Sequence, residues 1–316
     1  MSHCPICNSD NIRERYNLYD DRYGYPGQYR LRTCQHCGHA YLENNSFSDH
    51  DIQRLYSDYY PRRRMNVEQY SPHVDRRGMS AWLDGARASA FRWVPSGVRV
   101  LDIGSGFGEA LGYHAARGCE VWGVESDENA DRVAQRNGFN VRIGVFDPSD
   151  FPQDYFDAVT LDQVIEHMRD PVETLKGVRS VLKQGGFAIL STPNAHGWGA
   201  NVFGRRWINW HCPYHLHFFS RRSMLIAAQR AGLEFRSLGT ITPSEWLRYQ
   251  WIHLVTMRGE GQASPFWSGQ SCFSRSERVA VKLARCLHFA RINHLITRAF
   301  DAIGLGDSQL FELTKA

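Results

Sequence analysis

Features that would assign this chain to a membrane, a secretory route or a repeat fold are missing from its 316 residues. No uninterrupted apolar run reaches the length of about 18 residues that a spanning helix needs. The sequence shows no secretory signal, no internal repeat and no low-complexity segment. We therefore expect a cytoplasmic protein in which the eight cysteines stay reduced, some of them as metal ligands.

A strong charge of either sign is also missing. The formal net charge is +4, and 22% of the residues are charged against 42% that are hydrophobic. So small a surplus does not by itself indicate a nucleic-acid partner, and none is expected. A chain of this length can bury a sizeable core, so we expect one large domain with smaller parts attached to it.

A glycine-rich turn follows a predicted strand in the first half of the chain. Residues 98–103 form a short, apolar, β-branched run that is typical of a buried strand. Gly104, Gly106 and Gly108 come next, and glycines let the backbone turn sharply and approach a ligand closely. A helix is predicted to begin at Glu109. Strand, turn and helix together indicate the first half of a nucleotide-binding βαβ unit.

The third glycine of a dinucleotide-binding fingerprint is not present, because Glu109 stands at that position. A carboxylate there would repel a pyrophosphate but suits a cationic ligand. Asp102 lies at the end of the first strand and Glu125 at the end of the next. An acid at the end of the second strand, such as Glu125, can hold both ribose hydroxyls of an adenosine. These residues favour S-adenosylmethionine over NAD.

This stretch resembles the first motif of class I S-adenosylmethionine-dependent methyltransferases. The resemblance implies three further cofactor contacts. Phe146 would pack on the adenine ring, Asp147 would meet the adenine N6, and Gln163 would lie near the methionine part.

A second resemblance lies in residues 155–161, a predicted strand that is followed by the pair Glu166-His167. Ubiquinone-pathway O-methyltransferases and bacterial sugar methyltransferases carry such a strand. In a doubly wound sheet the carboxyl ends of the strands face the ligand crevice, which would bring His167 towards the acceptor. A role in capping a helix is the alternative for this histidine.

The segment after the predicted fifth strand is rich in aromatic residues and histidine. It contains Trp198, Trp207, Trp210, His211, His215 and His217. Such a segment predicts a pocket wall for a ring-shaped polar substrate. The Pro-x-His sequence that ends at His215 matches the resembling families. The set His211, Cys212, His215 and His217 could instead bind a metal ion, but the surrounding aromatic residues disfavour that reading.

Two cysteine pairs near the start of the chain predict a zinc ribbon. Cys4 and Cys7 form one pair, and Cys34 and Cys37 form the other. Two cysteines separated by two residues can direct both thiolates at one ion, and two such pairs complete a tetrahedral site. Four thiolates leave no open position, so the zinc would be structural. Unrelated cysteines or two disulfides are the alternative. Several bacterial sugar-modifying methyltransferases resemble this chain in carrying such a ribbon before the same domain.

The sequence therefore predicts an α/β fold: a seven-stranded, doubly wound, Rossmann-like sheet with an N-terminal zinc ribbon and a helical insertion before the last strand. The expected parts are a zinc ribbon (1–50), a helical cap or linker (51–97), the S-adenosylmethionine-binding domain (98–241), the insertion (242–306) and a closing strand (307–316).

Single helices are expected over 78–93 and over 276–303. The second is basic, and residues 275–303 either rest on an anionic membrane surface or pack as a cap on the domain or on a partner subunit. Arginines at 62–64, 76 and 77 could hold phosphate groups or form a solvated basic face.

The resemblance implies methyl transfer from S-adenosylmethionine to a small or lipid-linked polar acceptor, with a sugar or nucleotide-sugar hydroxyl or an adjacent carbon as the expected target. A hydroxyl needs a general base, and His167 or His215 is the candidate; the sequence does not decide between them. Two other functions stay open. One is an RNA or protein methyltransferase that uses the ribbon for recognition, and the other is a non-catalytic protein with a degenerate cofactor pocket. The sequence does not determine the oligomeric state.

Overall fold

A computed structural model describes residues 3–43, 55–59, 70–269 and 273–316. The arginines at 62–64 lie outside these ranges. The strands are, in chain order, β1 (Ile12–Leu18), β2 (Tyr29–Cys34), β3 (Ala40–Leu42), β4 (Arg99–Ile103), β5 (Glu120–Glu125), β6 (Asn140–Ile143), β7 (Phe156–Asp162), β8 (Leu182–Pro193), β9 (His217–Phe218), β10 (Glu234–Thr240) and β11 (Ser308–Thr314). The helices are α1 (Gly78–Asp84), α2 (Glu109–Ala115), α3 (Ala130–Asn137), α4 (Pro171–Val181), α5 (Trp198–Phe203), α6 (Arg221–Arg230), α7 (Ser244–Thr256), α8 (Arg275–Phe289) and α9 (Ile292–Ala302).

The larger sheet has seven strands in the order β10-β11-β8-β7-β4-β5-β6. Strands β4 to β8 run parallel, and β11 is antiparallel to both of its neighbours. The apolar side chains of β4, Val100, Leu101 and Ile103, are at most 1% exposed, as expected for a parallel strand that is covered on both faces. The predicted Rossmann-like fold is confirmed, with helices α7 to α9 inserted before the last strand.

A smaller antiparallel sheet joins the N-terminal segment to the large domain. Its order is β1-β2-β3-β9, and β1 and β2 form an antiparallel hairpin. Its fourth strand, β9, comes from the segment that follows β8. Ala40 pairs with Phe218 and Tyr41 pairs with His217. Main-chain hydrogen bonds therefore tie the N-terminal hairpin to the segment that was expected to face the acceptor.

The predicted helix over 78–93 is wrong. Helix α1 ends at Asp84 because Gly85 adopts a left-handed φ of 72°, and short 3-10 turns follow at Ala86–Ala88 and Ala90–Trp93. A Cβ at position 85 would lie 2.3 Å from the carbonyl oxygen of Thr242. The close approach of the chain after β10 therefore sets the end of this helix.

The second predicted helix, over 276–303, is divided into α8 and α9. The break falls at Arg291, which adopts a φ of 62°. Helices α7 and α8 pack together through Ile252, Val281 and Ala284. Within the described residues, no helix combines the length and the apolar character needed to cross a membrane.

Candidate functional site

The glycine turn after β4 is closed by hydrogen bonds to the neighbouring strand. The backbone N–H groups of Gly104 and Ser105 both donate to the carbonyl oxygen of Val124, at 2.8 and 2.9 Å. Gly104 has a φ of 75°, and a Cβ there would lie 2.5 Å from Val164 Cγ2. Gly106 and Gly108 also have positive φ angles, of 55° and 84°. Only glycine fits this tight turn without strain.

Glu125, at the end of β5, holds the adjoining backbone in place. One carboxylate oxygen accepts a 2.9 Å hydrogen bond from the N–H of Gly106, and the other accepts a 2.8 Å hydrogen bond from the N–H of Asp127. The side chain is only partly buried. It therefore stands at the edge of the crevice with acceptor capacity left for a ligand.

Asp102 lies buried at the end of β4. Thr160 Oγ1 donates a 2.5 Å hydrogen bond to its carboxyl group. Burial raises the pKa of Asp102 to about 7, and the negative charges of Asp162, Glu125 and Glu109 raise it further. A crevice with so many acids favours a positively charged ligand over an anionic one.

Asp162 was not singled out from the sequence, although it is the last residue of β7, and Asp102 is the last but one of β4. It accepts a hydrogen bond from Ser191 Oγ, and burial raises its pKa. Ser191 Oγ in turn accepts a 3.0 Å hydrogen bond from the amide of Gln163, whose φ is 57°. Gln163 thus lies directly after the end of β7. Its role near the methionine part of the cofactor stays a prediction.

A segment from the linker covers the glycine turn, and sequence reasoning missed it. The hydroxyl of Tyr70 donates to the carbonyl oxygen of Gly108 at 3.0 Å, and the N–H of His73 donates to the carbonyl oxygen of Glu109 at 3.0 Å. The His73 ring stacks on Phe91 with centroids 4.7 Å apart. No periodic pattern in this stretch distinguishes it from an ordinary linker.

The two candidate bases lie side by side. The rings of His167 and His215 meet edge to face with centroids 4.6 Å apart. Nδ1 of His167 is 2.9 Å from the carbonyl oxygen of Tyr214, and Nδ1 of His215 is 2.9 Å from that of Asn209. A carbonyl oxygen can only accept, so each Nδ1 carries the hydrogen and each Nε2 carries the lone pair.

Their surroundings keep both imidazoles neutral. Burial lowers the pKa of His167 to about 4 and lowers that of His215 well below its usual value. His167 remains partly exposed, whereas His215 is only 8% exposed and its Nε2 is 3.4 Å from His211 Nδ1. Both are therefore unprotonated at neutral pH and have a lone pair on Nε2, and His167 is the more accessible of the two.

Glu166 completes this cluster and is fully buried. Thr192 Oγ1 donates to one carboxyl oxygen at 3.1 Å, and the other has no hydrogen-bond partner among the described residues. Burial raises the pKa of Glu166 to about 8, so the side chain is protonated at neutral pH. One possible metal-ligand atom from each of Glu166, His167 and His215 lies within 4.8 Å of the other two, so the three side chains could hold a metal ion.

Of the two residues expected to bind adenine, Phe146 is partly buried and Asp147 is exposed. Phe146 packs on Phe151, with ring centroids 6.0 Å apart, and lies against Gly177 of α4. The carboxylate of Asp147 accepts hydrogen bonds from the N–H and the hydroxyl of Ser149 at 2.9 and 2.7 Å, and these bonds lower its pKa. Val145, one residue before Phe146, is 82% exposed and is an alternative for packing on the adenine ring. Both predicted roles stay predictions.

The expectation that the tryptophans form a pocket wall is wrong. Trp207 and Trp210 are 1% and 2% exposed, and they pack with Leu31 and Phe218 between the hairpin and the β8–β9 segment. Trp198 stacks on an aromatic ring of α9 with centroids 4.5 Å apart. These large rings are buried because the N-terminal sheet covers a face that the sequence alone leaves open.

The four cysteines of the predicted ribbon converge. The sulfurs of Cys4 and Cys37 are 3.6 Å apart, those of Cys7 and Cys34 are 3.5 Å apart, and all four lie within 4.8 Å of one another. Zinc–sulfur bonds of roughly 2.3 Å in a tetrahedron place the sulfurs about 3.8 Å apart. The cluster therefore fits a structural zinc ion, and the cysteines are not joined as disulfides.

The alternative histidine and cysteine set does not converge in the same way. His217 Nδ1 lies 3.1 Å from His39 Nε2, at the junction of the two sheets, whereas His215 contacts His167. His217 therefore belongs to the junction and His215 to the candidate active site.

The strand order, the glycine turn after β4 and the acids at the ends of β4, β5 and β7 define a class I S-adenosylmethionine-dependent methyltransferase domain. The chain belongs to the methyltransferase domain family, whose model matches residues 60–238. The match covers the crevice and leaves the cysteine cluster and the helices α7 to α9 outside.

Similar curated proteins are ubiquinone biosynthesis O-methyltransferases. That of Alkalilimnicola ehrlichii is 33% identical over 105 residues, which cover 31% of this chain and 42% of the relative. That of Thiobacillus denitrificans is 29% identical over 169 residues, which cover 48% of this chain and 73% of the relative. The chain thus spans less than half the length of the first relative.

Similar solved structures are also methyltransferases. Phosphoethanolamine N-methyltransferase 2 of Haemonchus contortus, in complex with phosphomonomethylethanolamine and S-adenosylhomocysteine, has a TM-score of 0.47 and 19% identity, covering 87% of this chain and 61% of that one. A SAM-dependent methyltransferase of Archaeoglobus fulgidus has a TM-score of 0.43 and 19% identity, covering 72% and 88%.

Proposed function

We propose that this chain transfers a methyl group from S-adenosylmethionine to a hydroxyl group of a small polar acceptor. The observation that carries the proposal is the acid-rich crevice at the carboxyl ends of β4, β5 and β7, with the neutral His167 beside it. S-adenosylmethionine supplies, when bound, an activated methyl group on a positively charged sulfur. Carboxylates around such a cation stabilise its binding.

The chain's own residues would contact three parts of the cofactor: the ribose, the methionine part and the adenine. The backbone at Gly104, Gly106 and Gly108 lets the cofactor approach closely, and Glu125 accepts hydrogen bonds from the ribose hydroxyls. Gln163 lies near the methionine part. Phe146 or its exposed neighbour packs on the adenine, and Asp147 meets its N6.

His167 is the proposed general base, and His215 orients it. The Nε2 of His167 would take the proton of the acceptor hydroxyl while that oxygen bonds to the methyl carbon, whose bond to sulfur breaks to leave S-adenosylhomocysteine. His167 is favoured because it is partly exposed, whereas His215 is nearly buried and its Nε2 lies close to His211. Access to the acceptor decides between two otherwise similar imidazoles.

The acceptor class rests on two kinds of support. The curated relatives are named as O-methyltransferases of ubiquinone biosynthesis, which supports an oxygen acceptor. The ribbon placed before the domain supports a sugar or nucleotide-sugar hydroxyl, or an adjacent carbon, as in the sugar methyltransferases that this order of parts resembles. Because the tryptophans are buried, they no longer support a sugar acceptor that would stack on them. An oxygen acceptor is therefore the proposal, and a sugar hydroxyl is its more specific form.

We also propose that Cys4, Cys7, Cys34 and Cys37 bind one structural zinc ion. Their sulfur separations are those of a tetrahedral thiolate site, and three of the four side chains are at most 2% exposed. With four protein ligands the ion would have no open position for substrate.

Cofactor binding is tested by titration calorimetry with S-adenosylmethionine. We expect Glu125→Gln to weaken binding roughly tenfold, since a hydrogen bond to a charged group contributes about 1.5–3 kcal/mol. Glu128→Gln, at an exposed position three residues later, should leave the affinity unchanged. Absence of binding to the wild-type chain would favour the non-catalytic alternative.

Turnover is tested with hydroxyl acceptors from both classes, catechols and nucleotide sugars. His167→Asn should lower kcat by about 10²–10⁴-fold, the usual contribution of a general base, without changing cofactor affinity. His215→Asn should lower kcat less and leave a pH profile of the wild-type form. The reverse order of the two losses would move the base to His215.

A further inference from the structure

A cavity of about 650 Å³ lies between α1, α2 and α9. Its lining contains six arginines and two aspartates. The arginines are Arg76, Arg77, Arg87, Arg92, Arg117 and Arg298. The crevice glycines, Asp102 and Glu125 do not line it. The proposed methyl transfer makes no use of this arginine cavity.

The two aspartates neutralise only part of this charge. Asp75 lies 2.7 Å from Arg77 and 3.6 Å from Arg92, and Asp301 lies 2.7 Å from Arg298. Arg76, which also lines the cavity, is 4.0 Å from Asp84. Among the described residues, the other two arginines, at positions 87 and 117, form no ion pair. A positive surplus therefore remains on the cavity wall.

Neutral groups hold several of these guanidinium groups in place. Arg92 donates to the carbonyl oxygen of Val74 at 2.8 Å, and Arg117 donates to that of Val94 at 3.0 Å. The guanidinium of Arg87 lies 4.0 Å from the centre of an indole ring, that of Trp93. Carbonyl oxygens and ring faces orient a guanidinium without cancelling its charge.

Arg298 is 7% exposed, and its Nε–H has no hydrogen-bond partner among the described residues. Its other nitrogens donate to the carbonyl oxygens of Trp82 and Thr242. Burial lowers its pKa, which means that the charged form is poorly solvated. Asp301 already pairs with this cation, so a bound phosphate would chiefly satisfy the Nε–H that has no partner.

We propose that the arginine cavity binds a diphosphate group. Planar guanidinium forks bind phosphate oxygens in pairs, and several oriented arginines suit two adjacent phosphates better than one. The cavity volume lies within the range of small-molecule sites. The apolar side chains of Met79 and Trp82, on α1, are 71% and 56% exposed, and Trp82 lines the cavity. The diphosphate could therefore belong to a soluble nucleotide or to a lipid.

The test is calorimetry of the full chain with inorganic pyrophosphate and with UDP. We expect the double variant Arg87→Ala and Arg117→Ala to raise the Kd for pyrophosphate by about tenfold or more. The matched control is Arg132→Ala with Arg136→Ala, two exposed arginines of α3, which should change it less than about twofold. S-adenosylmethionine should bind all three proteins equally. A wild-type chain that does not bind it would be a failure of the proposed function and not of this site.

Two results would overturn the proposal. One is a wild-type chain that binds S-adenosylmethionine but not pyrophosphate. The other is an equal loss of pyrophosphate affinity in both double variants, which would show a general charge effect.

Two further measurements distinguish a soluble nucleotide from a lipid as the source of the diphosphate. Either outcome supports the site. Tighter binding of UDP than of pyrophosphate would identify a soluble nucleotide. Sedimentation with phosphatidylcholine vesicles that contain a polyprenyl diphosphate, but not with phosphatidylcholine alone, would identify a lipid. In the second case Met79→Ala, at an exposed residue of α1 that does not line the cavity, should reduce sedimentation while leaving pyrophosphate affinity intact.

Discussion

Asp102 shows how one buried carboxyl group can make cofactor binding depend on pH. Its pKa is about 7 because the group is buried among other acids. A sulfonium cation nearby favours the ionised form, so binding should release a proton. We expect the Kd for S-adenosylmethionine to rise roughly tenfold between pH 8 and pH 6, since one pH unit below the pKa corresponds to a factor of about ten. Calorimetry in buffers of different ionisation enthalpy would count the proton.

Asp102→Asn should remove most of this dependence, because the amide keeps the hydrogen bond with Thr160 but does not titrate. A pH dependence that persists unchanged in the variant would assign it to another group.

Glu166 should make the folded protein less stable as the pH rises. Its pKa is raised from 4.5 to about 8 in the folded chain, so between these values the unfolded chain gives up its proton while the folded chain keeps it. The free energy of unfolding therefore falls as the pH increases through this window. We expect Glu166→Gln to have a higher Tm than the wild type at pH 8.5 and a similar Tm at pH 5. Scanning calorimetry at the two values checks this, and a lower Tm for the variant at both would show that the carboxyl group is needed structurally.

At the scale of single elements, the end of α1 is set by contact with the insertion. Gly85→Ala would force a left-handed alanine and bring its Cβ to 2.3 Å from the Thr242 carbonyl oxygen. We expect a loss of stability of roughly 3 kcal/mol or more. Gly97 has nearly the same φ, 73°, but nothing within 4 Å of an added Cβ, so Gly97→Ala should cost only about 1–2 kcal/mol. Urea denaturation would measure both, and equal losses would mean that the contact contributes nothing.

The break between α8 and α9 shows the limit of helix prediction. The apolar period continues through residues 276–303, and neither proline nor glycine interrupts it at the break. Arg291 nevertheless adopts a left-handed φ, and its side chain reaches Asp84 at 2.7 Å and His294 at 2.9 Å. Contacts with α1 thus accompany a conformation that local propensity disfavours.

At the scale of the whole molecule, the cysteine cluster and the methyltransferase domain share one core. Cys4, Ile6 and Cys37 belong to the same apolar cluster as Phe219 and Met224. Arg230 of α6 also donates to the carbonyl oxygens of Pro5 and Ile6 at 3.1 and 2.6 Å. The N-terminal segment is therefore expected to unfold together with the domain.

Removal of the proposed zinc ion should destabilise the whole chain. We expect a chelator, or Cys34→Ser, to lower the Tm by several degrees in a single transition, because structural zinc stabilises the fold that holds it. Affinity for S-adenosylmethionine should change little, since the hydrogen bonds that close the glycine turn are made with β5 and the turn packs on Val164. Cys286→Ser, at an exposed cysteine outside the cluster, is the control. Two separate unfolding transitions would contradict the shared core.

The sequence by itself determined the class of fold and the cofactor expected, because these depend on short-range requirements. The left-handed turn at Gly104, Gly106 and Gly108 needs glycine, and the acids stand in the last positions of strands whose ends meet at one edge of a parallel sheet. The paired cysteines are likewise two residues apart. Each of these patterns involves residues that are close together in the sequence, so it can be recognised without the tertiary structure.

Only the tertiary structure decided which side chains meet across long separations. It paired β9 with β3, buried Trp207 and Trp210, placed His215 against His167 and gathered the arginine cavity from α1, α2 and α9. These contacts join residues that are tens to more than two hundred positions apart. Their formation depends on how whole elements pack, and local propensity and spacing carry no information about that packing.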